Sequence, residues 1–225
     1  MLVLTTPSNP TGSVYTKEEL TAIAEVLKDT NITVISDEMY EKLVYDGSTF
    51  TAVASISDDM MNRTITVNGL SKSVAMTGWR FGYLASKDKA LVKAMKKLQS
   101  QSTSNINSIT QGAAIVALEG KADKDIESMR IEFEKRRNIA CELMNEIDGL
   151  SVDKPNGAFY LFVNIQDITS DSMEFSKGLL EEVGVAVVPG VAFGLEGYFR
   201  LSFATDEATI RDGISRIKKF IDSKK

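Results

Sequence analysis

Six residues spread along the sequence carry side chains that could do chemistry together: Asn9, Asp37, Tyr40, Lys72, Arg80 and Arg200. Asp37 follows Asn9 by 28 positions, Tyr40 follows Asp37 by 3, Lys72 follows Tyr40 by 32, Arg80 follows Lys72 by 8, and Arg200 follows Lys72 by 128. A lysine amine becomes a nucleophile or base when its surroundings lower its pKa, which no guanidinium can do. Arginine instead offers a rigid fork of donors that fits a carboxylate or a phosphate. The sequence contains no histidine, which excludes Ser-His and Cys-His nucleophile pairs and every His-based metal site. Acid–base chemistry near neutral pH must therefore come from a tuned lysine, tyrosine or carboxylate, or from a cofactor.

Taken singly, these residues say little. Asn9-Pro10 is a common turn former. Asp37 could simply cap a following helix, and an isolated lysine usually lies on the surface. Arg200 is less ordinary, since it sits in the apolar run Tyr198-Phe199-Arg200-Leu201-Ser202-Phe203. An unpaired buried guanidinium is costly, so an inter-element salt bridge is the plain alternative there.

The elements that must position them are readable from periodicity. Leu2 to Leu4 is a short apolar strand that runs into a Pro/Asn/Gly loop. Thr16-Lys17-Glu18-Glu19 has capping-box form, after which Leu20, Ile23, Ala24 and Leu27 share one helical face. Strands are expected over Ile32 to Ile35, Arg63 to Val67 and Phe81 to Ala85. Strands separated by helices or long crossovers imply a mainly parallel sheet with covered faces. In such sheets ligands bind at the carboxyl ends of strands, and Asn9, Asp37 and Lys72 each follow such an end. A helical stretch from Lys87 to Gly120 is broken near Ser100 to Asn107, and Ile126 to Ile147 carries a second long helix. After Gly149 the pattern changes to strands at Gly157–Val163, Val185–Val188 and Phe199–Phe203, with helices near 171–183 and 206–222.

Composition narrows the classes. The 225 residues include 43% hydrophobic and 25% charged types, ordinary for a globular chain with a real core. Lys and Arg number 26 against 31 Asp and Glu, and this net −5 offers no electrostatic case for nucleic acid or anionic membrane. No apolar run approaches the ~20 residues that span a bilayer, and the first residues lack the basic flank of a signal peptide. The single cysteine, Cys141, excludes an internal disulfide and suits a reducing, cytoplasmic location; its helical neighbours make it a core residue.

Taken jointly, Ser8-Asn9-Pro10-Thr11-Gly12, Ser36-Asp37-Glu38-Met39-Tyr40, the run Ser71-Lys72-Ser73-Val74-Ala75-Met76-Thr77-Gly78-Trp79-Arg80 and Arg200 resemble the cofactor site of the class I/II aminotransferases, fold-type I enzymes of pyridoxal 5'-phosphate. Lys154 to Tyr160 and Val188 to Gly194 look like the family's small-domain segments, and Lys97 to Asn105 looks like its bacterial aspartate aminotransferase group. The resemblance covers essentially the whole sequence but begins in the middle of the family's pattern. It implies an α/β fold: the C-terminal part of a large, mainly parallel cofactor-binding domain over 1–109, including the start of the interdomain helix. A smaller α+β domain would follow over 110–225.

The resemblance also implies roles. Lys72 would hold pyridoxal phosphate covalently and shuttle a proton at the substrate Cα. Asp37 would pair with the pyridine nitrogen and keep it protonated. Asn9 and Tyr40 would donate hydrogen bonds to the phenolic oxygen, Arg80 and more weakly Ser71 would hold the phosphate, and Arg200 with Asn9 would hold the substrate α-carboxylate. No metal enters. The implied substrates are an aspartate-like L-amino acid and a 2-oxo acid, and the implied partner is a second copy or a complementing N-terminal part. The family's phosphate-cradling turn, its ring-stacking aromatic residue and several sheet strands precede the Asn-Pro motif. The isolated chain is therefore expected to expose a strand edge and apolar faces, to self-associate and to bind the cofactor poorly. Carbon–sulfur lyase or decarboxylase chemistry, or a non-catalytic product of a truncated or split gene, are the alternatives.

Overall fold

In the computed structural model, residues 1–224 are described. They group into two compact units, Met1–Pro7 with Val14–Met129, and Ser8–Ser13 with the chain from Arg130 onward. By packing, the change from one unit to the other falls between Met129 and Arg130. A six-residue piece from near the N-terminus belongs to the second unit.

The first unit contains β1 (Leu2–Thr5), α1 (Lys17–Leu27), β2 (Val34–Asp37), α2 (Asp58–Arg63), β3 (Thr64–Gly69), α3 (Leu70–Ser73), β4 (Gly82–Ala85), α4 (Lys89–Ser102) and α5 (Ser108–Leu118). Its sheet has the order β1-β2-β3-β4. The first two pairings are parallel and the last is antiparallel. The capping box forms as expected: the Thr16 hydroxyl accepts from the Glu19 N–H at 3.1 Å, and the Glu19 carboxylate accepts from the Thr16 N–H at 2.8 Å. Leu20, Ala24 and Leu27 of α1 then close over Leu4, Val34, Val53 and Met60. At the end of β3, Gly69 lets the chain pass close by: a Cβ there would lie 2.7 Å from the Phe81 carbonyl oxygen. This crossing, with Gly69 paired to Gly82, confines residues 70–81 to the carboxyl end of β3.

The outer side of this unit is bare. All four residues of β4 are exposed, α4 buries none of its residues, and Ile109, Ile115, Val116 and Leu118 of α5 face outward. The expected uncovered edge and apolar face are therefore present.

The second unit holds most of α6 (Asp123–Asn145), then β5 (Tyr160–Asn164), α7 (Ser172–Val183), β6 (Val188–Pro189), β7 (Tyr198–Ser202) and α8 (Glu207–Asp222). The sheet is antiparallel with the order β5-β7-β6. Alternation sorts its faces. Leu161, Val163 and Phe199 are fully buried, with Phe175 of α7 stacked on Phe199 at 5.7 Å and meeting Phe220 of α8 at 5.5 Å. Tyr160, Phe162, Tyr198 and Arg200 take the other face, in register across β5 and β7. The strand expected over Val185–Val188 shrinks to Val188–Pro189. Proline has no ladder N–H to give, and Gly190 then packs so tightly that a Cβ would sit 2.6 Å from the Tyr198 carbonyl oxygen. Cys141 is buried in α6, as its pattern required.

Candidate active site

Within the first unit, the sheet topology gathers four of the six candidates and Ser71 at one end. Asp37 is the last residue of β2, in register with Val67 of β3. Lys72 and Ser71 lie in α3, directly beyond the end of β3, and both are half-buried. Tyr40 is buried three residues past Asp37. Arg80 stands just before β4, exposed, with its backbone in the left-handed region at φ 55° and its Nη1 donating to the Thr77 carbonyl at 2.9 Å. A left-handed non-glycine residue is costly unless its surroundings hold it. An open groove of about 920 Å³ lies beside Arg80 and is walled by Trp79, Gln99, Asn107 and Thr110 among others; Lys72, Asp37 and Tyr40 do not line it.

Asp37 does not cap a helix. Its carboxylate accepts from the Met39 N–H at 3.1 Å, and the chain continues through turns closed by Glu41 N–H to the Glu38 carbonyl and Leu43 N–H to the Tyr40 carbonyl. Sequence reasoning passed over Glu38, between Asp37 and Tyr40. Its side chain is only 3% exposed, and Oε1 accepts from the Ser36 hydroxyl at 2.8 Å and the Val53 N–H at 3.1 Å. It thereby ties the end of β2 to the turn at Val53–Ser55. Burial pushes this carboxyl above the usual carboxylate range, the neighbouring charges of Glu41 and Asp37 add to the rise, and the two hydrogen bonds oppose it.

A carboxyl whose folded-state pKa is raised binds its proton more tightly in the folded chain. The resulting stabilisation is present below the ordinary carboxylate value and is lost as pH rises through the folded value. Glu38→Gln cannot titrate but keeps an oxygen acceptor. The unfolding free energy of the parent, minus that of Glu38→Gln, is expected to fall as urea titrations step from about pH 4 to about pH 8. A difference that stays flat or rises would contradict the raised pKa.

Within the second unit, the fold joins two candidates separated by 191 residues: Arg200 Nη1 donates to Asn9 Oδ1 at 2.7 Å. Arginine has only donors, so Asn9 must turn its oxygen toward Arg200, leaving its NH2 as a donor elsewhere. The Asn9 loop closes on itself through Gly12 N–H to the Ser8 carbonyl and Ser8 N–H to the Ser13 carbonyl, each 2.9 Å. It leans on residues 155–157, where Arg137, fully buried, donates to the Pro155 carbonyl at 2.7 Å. Arg200 also lies over two rings, with its Cζ 4.4 Å from the Tyr160 centroid and 5.0 Å from that of Phe193. Among the described residues no carboxylate pairs with it, so the salt-bridge alternative is not what the fold builds.

The chain as a whole matches a known family. The description "Aminotransferase class I and II" fits residues 1–217, and the chain belongs to that family. An aspartate aminotransferase of Bacillus subtilis is 46% identical over 98% of this chain, and an asparagine–oxo-acid transaminase of Streptococcus mutans is 44% identical over 99%. The crystal structure of the aspartate aminotransferase from Rhizobium meliloti superposes with a TM-score of 0.92 at 40% identity, over 98% of this chain. In each case this chain spans 57% of the relative's length. Among the described residues, no helix is long and apolar enough to cross a membrane.

Proposed function

We propose that this chain carries the cofactor lysine and the carboxylate-reading arginine of a pyridoxal-phosphate aminotransferase, which moves an amino group from an aspartate-like L-amino acid to a 2-oxo acid. The observation that carries this reading is Arg200. It is a half-buried guanidinium in an apolar strand, oriented by Asn9 and two rings and left without an acidic partner among the described residues. Such a group suits an incoming carboxylate.

The first unit's donor set fits the cofactor chemically: an amine, a carboxylate, a phenol, a hydroxyl and a guanidinium stand at one end of one sheet. Pyridoxal phosphate, when bound, supplies an aldehyde and an electron-accepting ring. Lys72 would hold that aldehyde and move the proton at the substrate Cα. Asp37 would keep the ring nitrogen protonated, and Tyr40 would donate to the phenolic oxygen. Arg80 and Ser71 would bind the phosphate. Arg200, steadied by Asn9, holds the substrate α-carboxylate. In this reading residues 1–109 belong to the large domain and 110–225 to the small one, in a cytoplasmic enzyme. The bare β4 edge and α4–α5 surface favour a partner, either a second copy or a polypeptide that supplies the remaining part of the relatives' length.

The test is isotope transfer. The chain would be mixed with pyridoxal phosphate, 15N-aspartate and a 2-oxo acid, alone and with the preceding segment of the Bacillus subtilis relative added. Label in the amino acid formed from the oxo acid is the expected result. Release of labelled ammonium or of carbon dioxide would point to lyase or decarboxylase chemistry instead. Absence of turnover in both mixtures would overturn the reading in favour of a non-catalytic product.

A further inference from the structure

The geometry points to Tyr160 and Phe193 as specificity residues that hold the Arg200 guanidinium so that only its edge is offered to a ligand, an inference that rests on the carboxylate reading above. Tyr160 comes from β5, one neighbour of β7, whereas Phe193 follows β6, the other neighbour. Their centroids lie 4.4 and 5.0 Å from Arg200 Cζ. Both rings are themselves held: Tyr160 packs on Phe159 at 4.8 Å, and Phe193 meets Phe162 edge-on at 6.0 Å. Phe162 is the cross-strand partner of Arg200.

A planar cation lying over ring faces is attracted by their negative charge density and loses freedom to tilt. Nη1 is already committed to Asn9. An anion must then approach in the guanidinium plane, which suits the two coplanar oxygens of a carboxylate. A tetrahedral phosphonate carries a third oxygen out of that plane, toward a negative ring face. The rings therefore select planar carboxylates, and they pre-organise the fork so that less freedom is lost on binding.

The test uses the whole 15N-labelled chain, with the Arg200 Nε–Hε signal assigned by its loss in Arg200→Lys. Two ring faces should shift that proton upfield, and Phe193→Leu should move it back. Phe193 is only half-buried, so this change leaves the core intact. Binding of L-aspartate, measured by calorimetry, should weaken about three- to tenfold in Phe193→Leu, with a smaller preference for L-aspartate over its α-phosphonate analogue. Phe193→Tyr should restore both, a rescue that a merely structural role would not require. An unshifted Nε–Hε in the parent, or parent-like affinity and selectivity in Phe193→Leu, would overturn the inference. If Arg200→Lys binds L-aspartate as the parent does, or the parent binds it neither alone nor with the preceding segment of the Bacillus subtilis relative added, the carboxylate reading itself fails. The Nε–Hε position, read without ligand, still shows whether the rings hold the guanidinium.

Discussion

Lys72→Arg is expected to reduce amino-group transfer by at least about a thousandfold while leaving the fold intact. Positioned proton transfer alone contributes about 10²–10⁴ in rate, and on the proposed role the covalent hold on the cofactor would be lost as well. Arginine preserves the positive charge and most of the length, so local electrostatics change little. What it cannot do is release a proton near neutral pH or act as an amine nucleophile. Lys72 is half-buried in a single turn of helix, where a somewhat larger head group can be accommodated toward solvent. The measurements are single-turnover kinetics, borohydride trapping with peptide mapping, and a thermal melt. Label on Lys72 in the parent, none there in the variant, and an unchanged melt make up the expected set. Turnover within tenfold of the parent would remove Lys72 from the chemistry.

Gly12→Ala should destabilise the second unit by about 2–4 kcal/mol. Its φ of +69° lies in the left-handed region, where alanine costs about 1 kcal/mol relative to glycine. The larger part is steric. A Cβ would come within 2.4 Å of Pro155 Cβ and 2.7 Å of the Gly157 carbonyl oxygen, and overpacking of this kind costs about 1–3 kcal/mol. Relief requires the loop to lift, which takes Asn9 away from Arg200. Gly47→Ala is the control, because Gly47 has the same φ of +69° but nothing within 4 Å of its Cβ position. Urea unfolding should separate the two variants clearly, and L-aspartate affinity should fall only in Gly12→Ala. Equal losses would show that conformation, not the close approach, decides.

Much of this architecture was legible in the residues. The β-branched runs gave β2 and β3 within two residues, Thr16 and Glu19 marked the start of α1, and the Ser/Thr/Asn cluster placed the break between α4 and α5. Local patterning sufficed there because propensity, capping and burial agreed. Singly, Lys72, Asp37 and Arg80 said little and only Arg200 in its apolar strand was unusual; it was the joint pattern's resemblance to the family that singled them out. What escaped was set by long-range packing. Nothing local to Glu38 announces that it is buried against Val53, or that Arg137 on a charge-rich helix lies inside against Pro155. Nor could periodicity tell that β4 runs antiparallel, or that Ser8–Ser13 leaves the unit on either side of it in sequence. Ring partners of Arg200 were equally invisible, since they depend on register across three strands.

That displaced hexapeptide has a consequence for how the protein is made. Its contacts with the second unit include one spanning 191 residues, and closing a loop of that length costs about 4–5 kcal/mol in chain entropy. During synthesis residues 8–13 emerge long before β7 does. At about 5–20 residues per second, the ribosome leaves this segment without its partners for roughly ten to forty seconds. The first unit can start to fold around the gap, but the second cannot complete itself from its own contiguous stretch. A polypeptide of residues 130–225 would lack the piece that Gly12 seats on Pro155, and Arg200 would gain its Asn9 partner only once residues 8–13 return to it.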